Sequence, residues 1–243
     1  VYQPDEFAFT ETGRRAPAAA RRPGVPTLWI VDVRREGERA QELAPGILDA
    51  EELARAGNLA IEADRFCFLA SHVALRMLLG ARLGIAPDAV RLTREPCPSC
   101  GGPHGRPATD GGVHFSLSHT RGVALLALAD EPVGVDVERA PEERVVSEIG
   151  DQLHPSERRE LAALPAEERP AAFVRAWTRK EAYLKGTGIG LAGGISHDHM
   201  GTGPVPQPGP AGWTVTDVAV PLGYAAAVAV RTAGRPPAQE DDR

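Results

Sequence analysis

Cysteine is scarce: three in 243 residues. An odd, small number excludes a disulfide framework and suits a reducing cytoplasm. Positive charge is also lacking, with a formal net charge of −6. General nucleic-acid binding is therefore disfavoured, because it rests on a basic surface. No uninterrupted apolar run reaches the ~18 residues of a membrane span. The opening Val1-Tyr2-Gln3-Pro4-Asp5 has neither the basic-then-apolar order of a secretory leader nor an initiator Met. The natural N-terminus is thus expected to lie elsewhere. Internal repeats and heptads are absent, which excludes solenoids and coiled coils. What is present is ordinary for a cytoplasmic globular protein: 42% hydrophobic and 25% charged residues. The length suits one large domain or two small ones with a real core.

The order of elements points to an α+β fold. The first ~25 residues, rich in Arg, Ala and Pro, are expected to be poorly ordered. Residues 27–33 read as a strand, Ala50 to Ala56 as a short helix, and Asp64 to Leu83 as a long one ended by Gly84 and Pro87. Residues 96–112 are punctuated by Gly, Pro and Cys and read as loop. Val113 to Ser118 and Gly122 to Ala129 read as strands. Asp130-Glu131-Pro132 is the expected linker between lobes spanning 1–130 and 132–231. After it come a strand over Val133 to Glu138 and a helix over about Glu142 to Gln152. A further helix opens at Pro155 or Ser156, and a long one runs from about Glu167 to Lys185. Residues 201–212 read as loop, with closing strands over Trp213 to Val218 and Tyr224 to Val230. A disordered tail from Thr232 is expected.

Four segments can carry chemistry. In Val133-Gly134-Val135-Asp136-Val137-Glu138, alternation sends the valines to a core and Asp136 and Glu138 to the other face. Two carboxylates about 7 Å apart repel unless a cation sits between them. Mg²⁺, which takes one or two carboxylates plus phosphates, is the natural partner. A solvated acidic face is the plain alternative. In the helix ending Trp177-Thr178-Arg179-Lys180-Glu181-Ala182-Tyr183-Leu184-Lys185, residues 177, 181 and 185 share one stripe. Glu181 can complete the acidic site and Lys185 can neutralise a phosphate; a surface Glu-Lys pair is the alternative. Ser118 and His119 stand at a strand end, fit either for phosphate oxygens or for capping a turn. Adjacent strand residues point to opposite faces, so they do not form a nucleophilic pair. Cys97, Cys100 and His104 can hold zinc, for which a closed site needs a fourth ligand from Cys67 or His72. A Gly/Pro-shaped loop with two thiols is the alternative.

Taken together, Gly-Val-Asp-Val-Glu, Trp-Thr-Arg-Lys-Glu-Ala-Tyr-Leu-Lys and Phe-Ser-Leu-Ser-His resemble the 4′-phosphopantetheinyl transferase family, in its monomeric surfactin-synthetase-activating type. Spacing agrees, with about 43 residues between Glu138 and Glu181. The resemblance covers roughly residues 60–230. It implies a pseudo-dimer of two similar α+β lobes with coenzyme A between them. It further implies Mg²⁺ on Asp136, Glu138 and Glu181, and phosphate contacts from Lys185. Ser118 and His119 are then expected on the nucleotide and its 3′-phosphate, and Gly105, Arg106 and Pro107 around the adenine. Two residues depart from the family pattern. Arg106 stands where Lys is frequent, and Cys67 where a basic residue is. Phosphate binding from the first long helix would then fall to Arg65 or Arg76. No role for Lys180 follows.

The resemblance implies that a serine of an acyl or peptidyl carrier protein attacks coenzyme A, with Glu181 a candidate base. Adenosine 3′,5′-bisphosphate leaves. Two rival readings use fewer segments: a Mg²⁺-dependent phosphohydrolase on the same carboxylates, and a zinc-loop interaction module that would not need Asp136. Arg34-Arg35 and Arg158-Arg159 are candidate docking patches for an acidic carrier helix.

Overall fold

A computed structural model describes residues 1–9, 24–190 and 194–232. Strand β1 (Asp5–Phe7) lies parallel to β2 (Thr27–Asp32). Phe7 is fully buried there, so the start of the chain is structured, contrary to the expectation from its composition. The rest of that expectation, and the tail beyond Thr232, lie outside the described residues. Asp32 ends β2 and accepts the backbone N–H groups of Arg34 and Arg35, which opens helix α1 (Val33–Leu43). The sequence reading missed this helix. Its buried stripe is only Val33, Glu36, Gly37 and Ala40, too polar to show an apolar period.

Helix α2 (Ala50–Gly57) begins with a capping box between Asp49 and Glu52. Helix α3 (Glu62–Leu83) stops at Gly84, which takes the left-handed conformation at φ 71°. By length and composition α3 could cross a membrane, but 72% of that window is buried inside the protein, as in a core helix. The expected loop at 96–112 contains a strand. β4 (Pro107–Thr109) pairs antiparallel with β3 (Leu92–Arg94), so residues 95–106 form the tip of a hairpin.

Strands β5 (His114–Thr120) and β6 (Val123–Ala129) complete a four-stranded sheet ordered β1-β2-β6-β5. Helix α3 packs on it through Phe68, Val73, Met77 and Leu79. A second sheet, ordered β7-β9-β8, is built from β7 (Val133–Arg139), β8 (Trp213–Asp217) and β9 (Tyr224–Arg231). Between β7 and β8 run α4 (Glu143–Ile149), α5 (Pro155–Ala162) and α6 (Arg169–Thr187). Helix α5 opens at Pro155, as expected, and its cap is His154, with Glu157 bonding back to the His154 backbone. A separate 3₁₀ turn at Ala166–Glu168 precedes α6, where one continuous helix was expected.

The two sheets share a core. Val133, Val135 and Val137 pack with Leu125, Ala127 and Val228, as the alternation required. Strands β5 and β7 are joined by serine hydroxyls: Val135 N–H donates to Ser116 Oγ, and Ser118 Oγ–H donates to Asp136 Oδ1. These bonds tie one edge of the first sheet to the strand that carries the acidic residues.

Candidate functional site

The site forms because α6 lies directly on β7. A Cβ at Gly134 would sit 2.0 Å from Ala182 O and 2.3 Å from Gly186 N, so only glycine permits this approach. Gly134, Asp136 and Glu138 alternate onto the same side of the strand. The side that takes Ala182 and Gly186 therefore carries the two carboxylates as well. Glu181 and Lys185 stand one residue before each of those contact points, which brings them to Asp136 across 45 and 49 residues of chain.

Asp136 is buried. Its Oδ1 accepts from Lys185 Nζ at 2.5 Å and from Ser118 Oγ at 2.8 Å. Lys185 Nζ also lies 3.0 Å from Ser118 Oγ. Asp136 Oδ2 is buried with no hydrogen-bond partner among the described residues. An orphaned carboxylate oxygen is costly unless another cation or donor completes it. Glu138 is pushed up to about 7, first by desolvation and then by repulsion from Asp136, with Glu181 adding. Glu181 is raised by desolvation and by Asp136, against the pull of Lys185. Three carboxylates that repel in this way, one with a free buried oxygen, fit a hard divalent cation.

A cleft of about 590 Å³ ends at Lys185, within the range of small-molecule sites. Gly105, Arg106, Pro107 and Lys185 line it. Arg106 donates to Glu95 Oε2 at 2.7 Å and to Gly186 O at 3.1 Å, which fixes the hairpin tip against the end of α6. Ser118 and the carboxylates do not line the cleft but adjoin it through Lys185. His119 lies open to solvent on the opposite side of its strand from Ser118. Even so, crowding lowers its pKa, and repulsion from His72, Lys185 and Arg55 adds to the effect.

Of the two arginines expected to contact phosphate from α3, Arg76 is not free to do so. Arg76 is buried and spent on the fold: it bonds Glu52 at 2.6 Å, Asp49 at 2.7 Å and Val90 O at 2.9 Å. It sits on the core side of α3, and helical phase from the buried Phe68 and Val73 could have shown that. Arg65 does not line the cleft and pairs with Glu62. The basic lining comes instead from Arg55 and Arg94, which the sequence reading missed. Arg55 lies over the Phe68 ring, 5.4 Å from its centre. Neither expected fourth ligand reaches Cys97, Cys100 and His104: Cys67 Sγ donates to Thr120 O, and His72 is bonded to Glu52.

Lys180, unassigned from sequence, is buried on another side of α6. Its ammonium pairs with Glu157 at 2.9 Å and donates to Asp198 O. Beside it Arg179, fully buried, bonds Asp217 through two nitrogens at 2.8 and 2.7 Å and reaches Gly201 O and Gly203 O. Glu157 in turn accepts from Met200 N and Gly201 N. This network anchors the loop around residues 198–203.

Residues 132–209 match the model of the 4′-phosphopantetheinyl transferase superfamily. The chain is 34% identical over 168 residues to the 4′-phosphopantetheinyl transferase HetI of Nostoc sp., covering 68% of this chain and 69% of that protein. It is 30% identical over 180 residues to a Synechocystis protein described as a 4′-phosphopantetheinyl transferase by assignment, with 70% and 68% covered. A shorter match, 33% over 89 residues, reaches the 4′-phosphopantetheinyl transferase gsp of Aneurinibacillus migulanus and covers 36% and 37% of the two chains.

Proposed function

The chain belongs to the 4′-phosphopantetheinyl transferase superfamily, and from that premise we propose that it transfers the phosphopantetheine arm of coenzyme A onto a serine of an acyl or peptidyl carrier protein, with Mg²⁺. One observation carries the reading. Asp136, with its unpartnered buried oxygen, bonds Lys185 and lies within electrostatic reach of Glu138 and Glu181, beside a cleft large enough for a nucleotide.

Asp136, Glu138 and Glu181 hold the metal. Mg²⁺, when bound, supplies charge neutralisation for the diphosphate and for the departing phosphate. Lys185, with one N–H to spare beyond Asp136 and Ser118, gives a hydrogen bond to a phosphate oxygen. Arg55 and Arg94 face the cleft with positive charge, and Gly105, Arg106 and Pro107 form the wall against the adenine. Ser118 and His119 take the nucleotide end. The carrier serine Oγ forms a bond to the β-phosphorus as the bond from that phosphorus to the bridging oxygen breaks. Adenosine 3′,5′-bisphosphate leaves, and the serine proton passes to Glu181, the candidate base.

The finer assignments follow the same reading. The chain is of the surfactin-synthetase-activating type: a cytoplasmic monomer serving carrier proteins of polyketide or nonribosomal peptide synthesis. Its lobes, 1–130 and 132–231, form a pseudo-dimer. In support, each lays one long helix, α3 or α6, against a sheet, mixed in the first lobe and antiparallel in the second.

Mass spectrometry of an apo carrier protein incubated with the enzyme, coenzyme A and Mg²⁺ tests this. The carrier should gain one phosphopantetheine mass, and EDTA should abolish the gain. Turnover of coenzyme A at an equal rate without carrier would instead favour a phosphohydrolase.

A further inference from the structure

The hairpin tip between β3 and β4 holds a cluster that the transferase reading does not use. Cys97, Cys100 and His104 each offer a ligand atom, and all three atoms lie within 4.8 Å of one another. Cys100 Sγ stands 3.0 Å from His104 Nε2. The backbone is shaped around them. Gly101 N–H donates to Cys97 O at 2.8 Å, and Cys97 N–H donates to Gly102 O at 2.7 Å. Gly101 takes φ 71°, which only glycine adopts readily. A Cβ on Gly102 would lie 3.1 Å from the His104 ring and 3.3 Å from Cys100 Sγ, filling the space beside the ligands. The N–H groups of Cys100 and Ser99 are directed at the Cys97 sulfur. All three cysteines of the chain are free, so no disulfide competes in this structure.

We propose that Cys97, Cys100 and His104 bind a zinc ion that staples this hairpin tip. Two thiolates and an imidazole are the donor set of zinc, whereas Mg²⁺ takes oxygen ligands and does not compete. Zinc bonds of about 2.3 Å to sulfur and 2.0 Å to nitrogen set two such sulfurs and a nitrogen roughly 3.5–3.8 Å apart at tetrahedral angles. That spacing falls inside the spread of these three atoms. Binding displaces the two thiol protons. Cys100 and His104 are exposed, so the fourth position opens to solvent and takes water.

The staple has a consequence that rests on reading the cleft as the coenzyme A site. The chain runs from His104 through Gly105 to Arg106, which joins Glu95 to the end of α6. A Cβ on Gly105 would lie 2.2 Å from Glu95 O, so this stretch is already tightly folded. Closing residues 97–104 with a metal fixes the cleft wall beside Lys185 without zinc touching the reaction.

Elemental analysis of the untagged full chain, purified without chelator, tests the site. It should carry about one zinc per chain, and His104→Ala and Cys100→Ser, both at exposed positions, should fall below about a tenth of that. Co²⁺ exchanged into the wild type should give thiolate-to-cobalt charge-transfer absorption and intense tetrahedral visible bands, lost in both variants. Asp136→Ala should keep its zinc, so failure of the transferase reading would leave this result standing. Reduced protein that neither holds zinc nor gives the cobalt spectrum would overturn the proposal. So would a Cys97–Cys100 disulfide in the chain as purified.

Discussion

Along α6, Arg179 and Lys180 can be set against Glu181 and Lys185. All four are charged and at least half removed from solvent. Arg179 finds acceptors for all five of its N–H groups. Lys180 meets Glu157 and Asp198, and Glu157 is itself held by backbone donors. On the other side, Glu181 and Glu138 are pushed up by burial and by repulsion from Asp136, and Asp136 keeps an unpartnered oxygen. A complete network serves the fold; an incomplete one beside a cleft is arranged for something that arrives later. The two sets should separate when mutated, one costing stability and the other activity.

The largest effect is expected on activity. Asp136→Asn should lower transfer by about 10³-fold while the melting temperature holds, because the amide oxygen can still accept from Lys185 and Ser118 and the repulsion of Glu138 and Glu181 is relieved. A large drop in melting temperature would assign Asp136 to the fold instead. Lys180→Ala should do the reverse. It leaves Glu157 buried without its cation, at a cost of about 3–5 kcal/mol, read by urea unfolding. The fraction that remains folded should keep its kcat. The two sides would not be distinct if Lys180→Ala lost activity at full stability.

A second pair sharpens the same contrast on the first lobe. Arg76→Ala should destabilise by about 3 kcal/mol, since Glu52 and Asp49 lose their cation, with KM for coenzyme A unchanged. Arg55→Ala should leave stability alone and raise that KM about tenfold, the worth of one charge-assisted hydrogen bond. Exchanged phenotypes would restore Arg76 to the binding site.

The smallest effect concerns pH. The folded Glu138 carboxyl titrates at about 7, above its ordinary 4.5. Between those values the folded protein holds the proton more tightly than the unfolded chain does. Its contribution therefore favours folding at low pH and is lost as pH rises through 7. With EDTA present, stability should decline over that window in wild type and less so in Glu138→Gln. Equal slopes from thermal melts in the two proteins would remove Glu138 from the cluster.

Much of the site was legible because it rests on short periods. Alternation placed Val133, Val135 and Val137 in the core and the acidic pair opposite, and a four-residue step joined Glu181 to Lys185. The approach of strand to helix was written in Gly134 and Gly186, but only coordinates show what a Cβ there would strike. Helix α1 was hidden because its buried face includes Glu36, whose carboxylate bonds Phe9 N and Arg35. Arg76 and Arg55 are the same residue type, and helical phase, which sets Arg76 with Phe68 and Val73 on the core side of α3, separates them. The hydroxyl of Ser116 gave no sign that it would bond the second sheet.

The central claim is that Asp136, Glu138 and Glu181 hold one divalent ion together. Mn²⁺ titration followed by electron paramagnetic resonance, with coenzyme A present, measures this directly. The account predicts one site in the wild type and at least about tenfold weaker binding in Glu181→Gln. Unchanged Mn²⁺ affinity in that variant would contradict it.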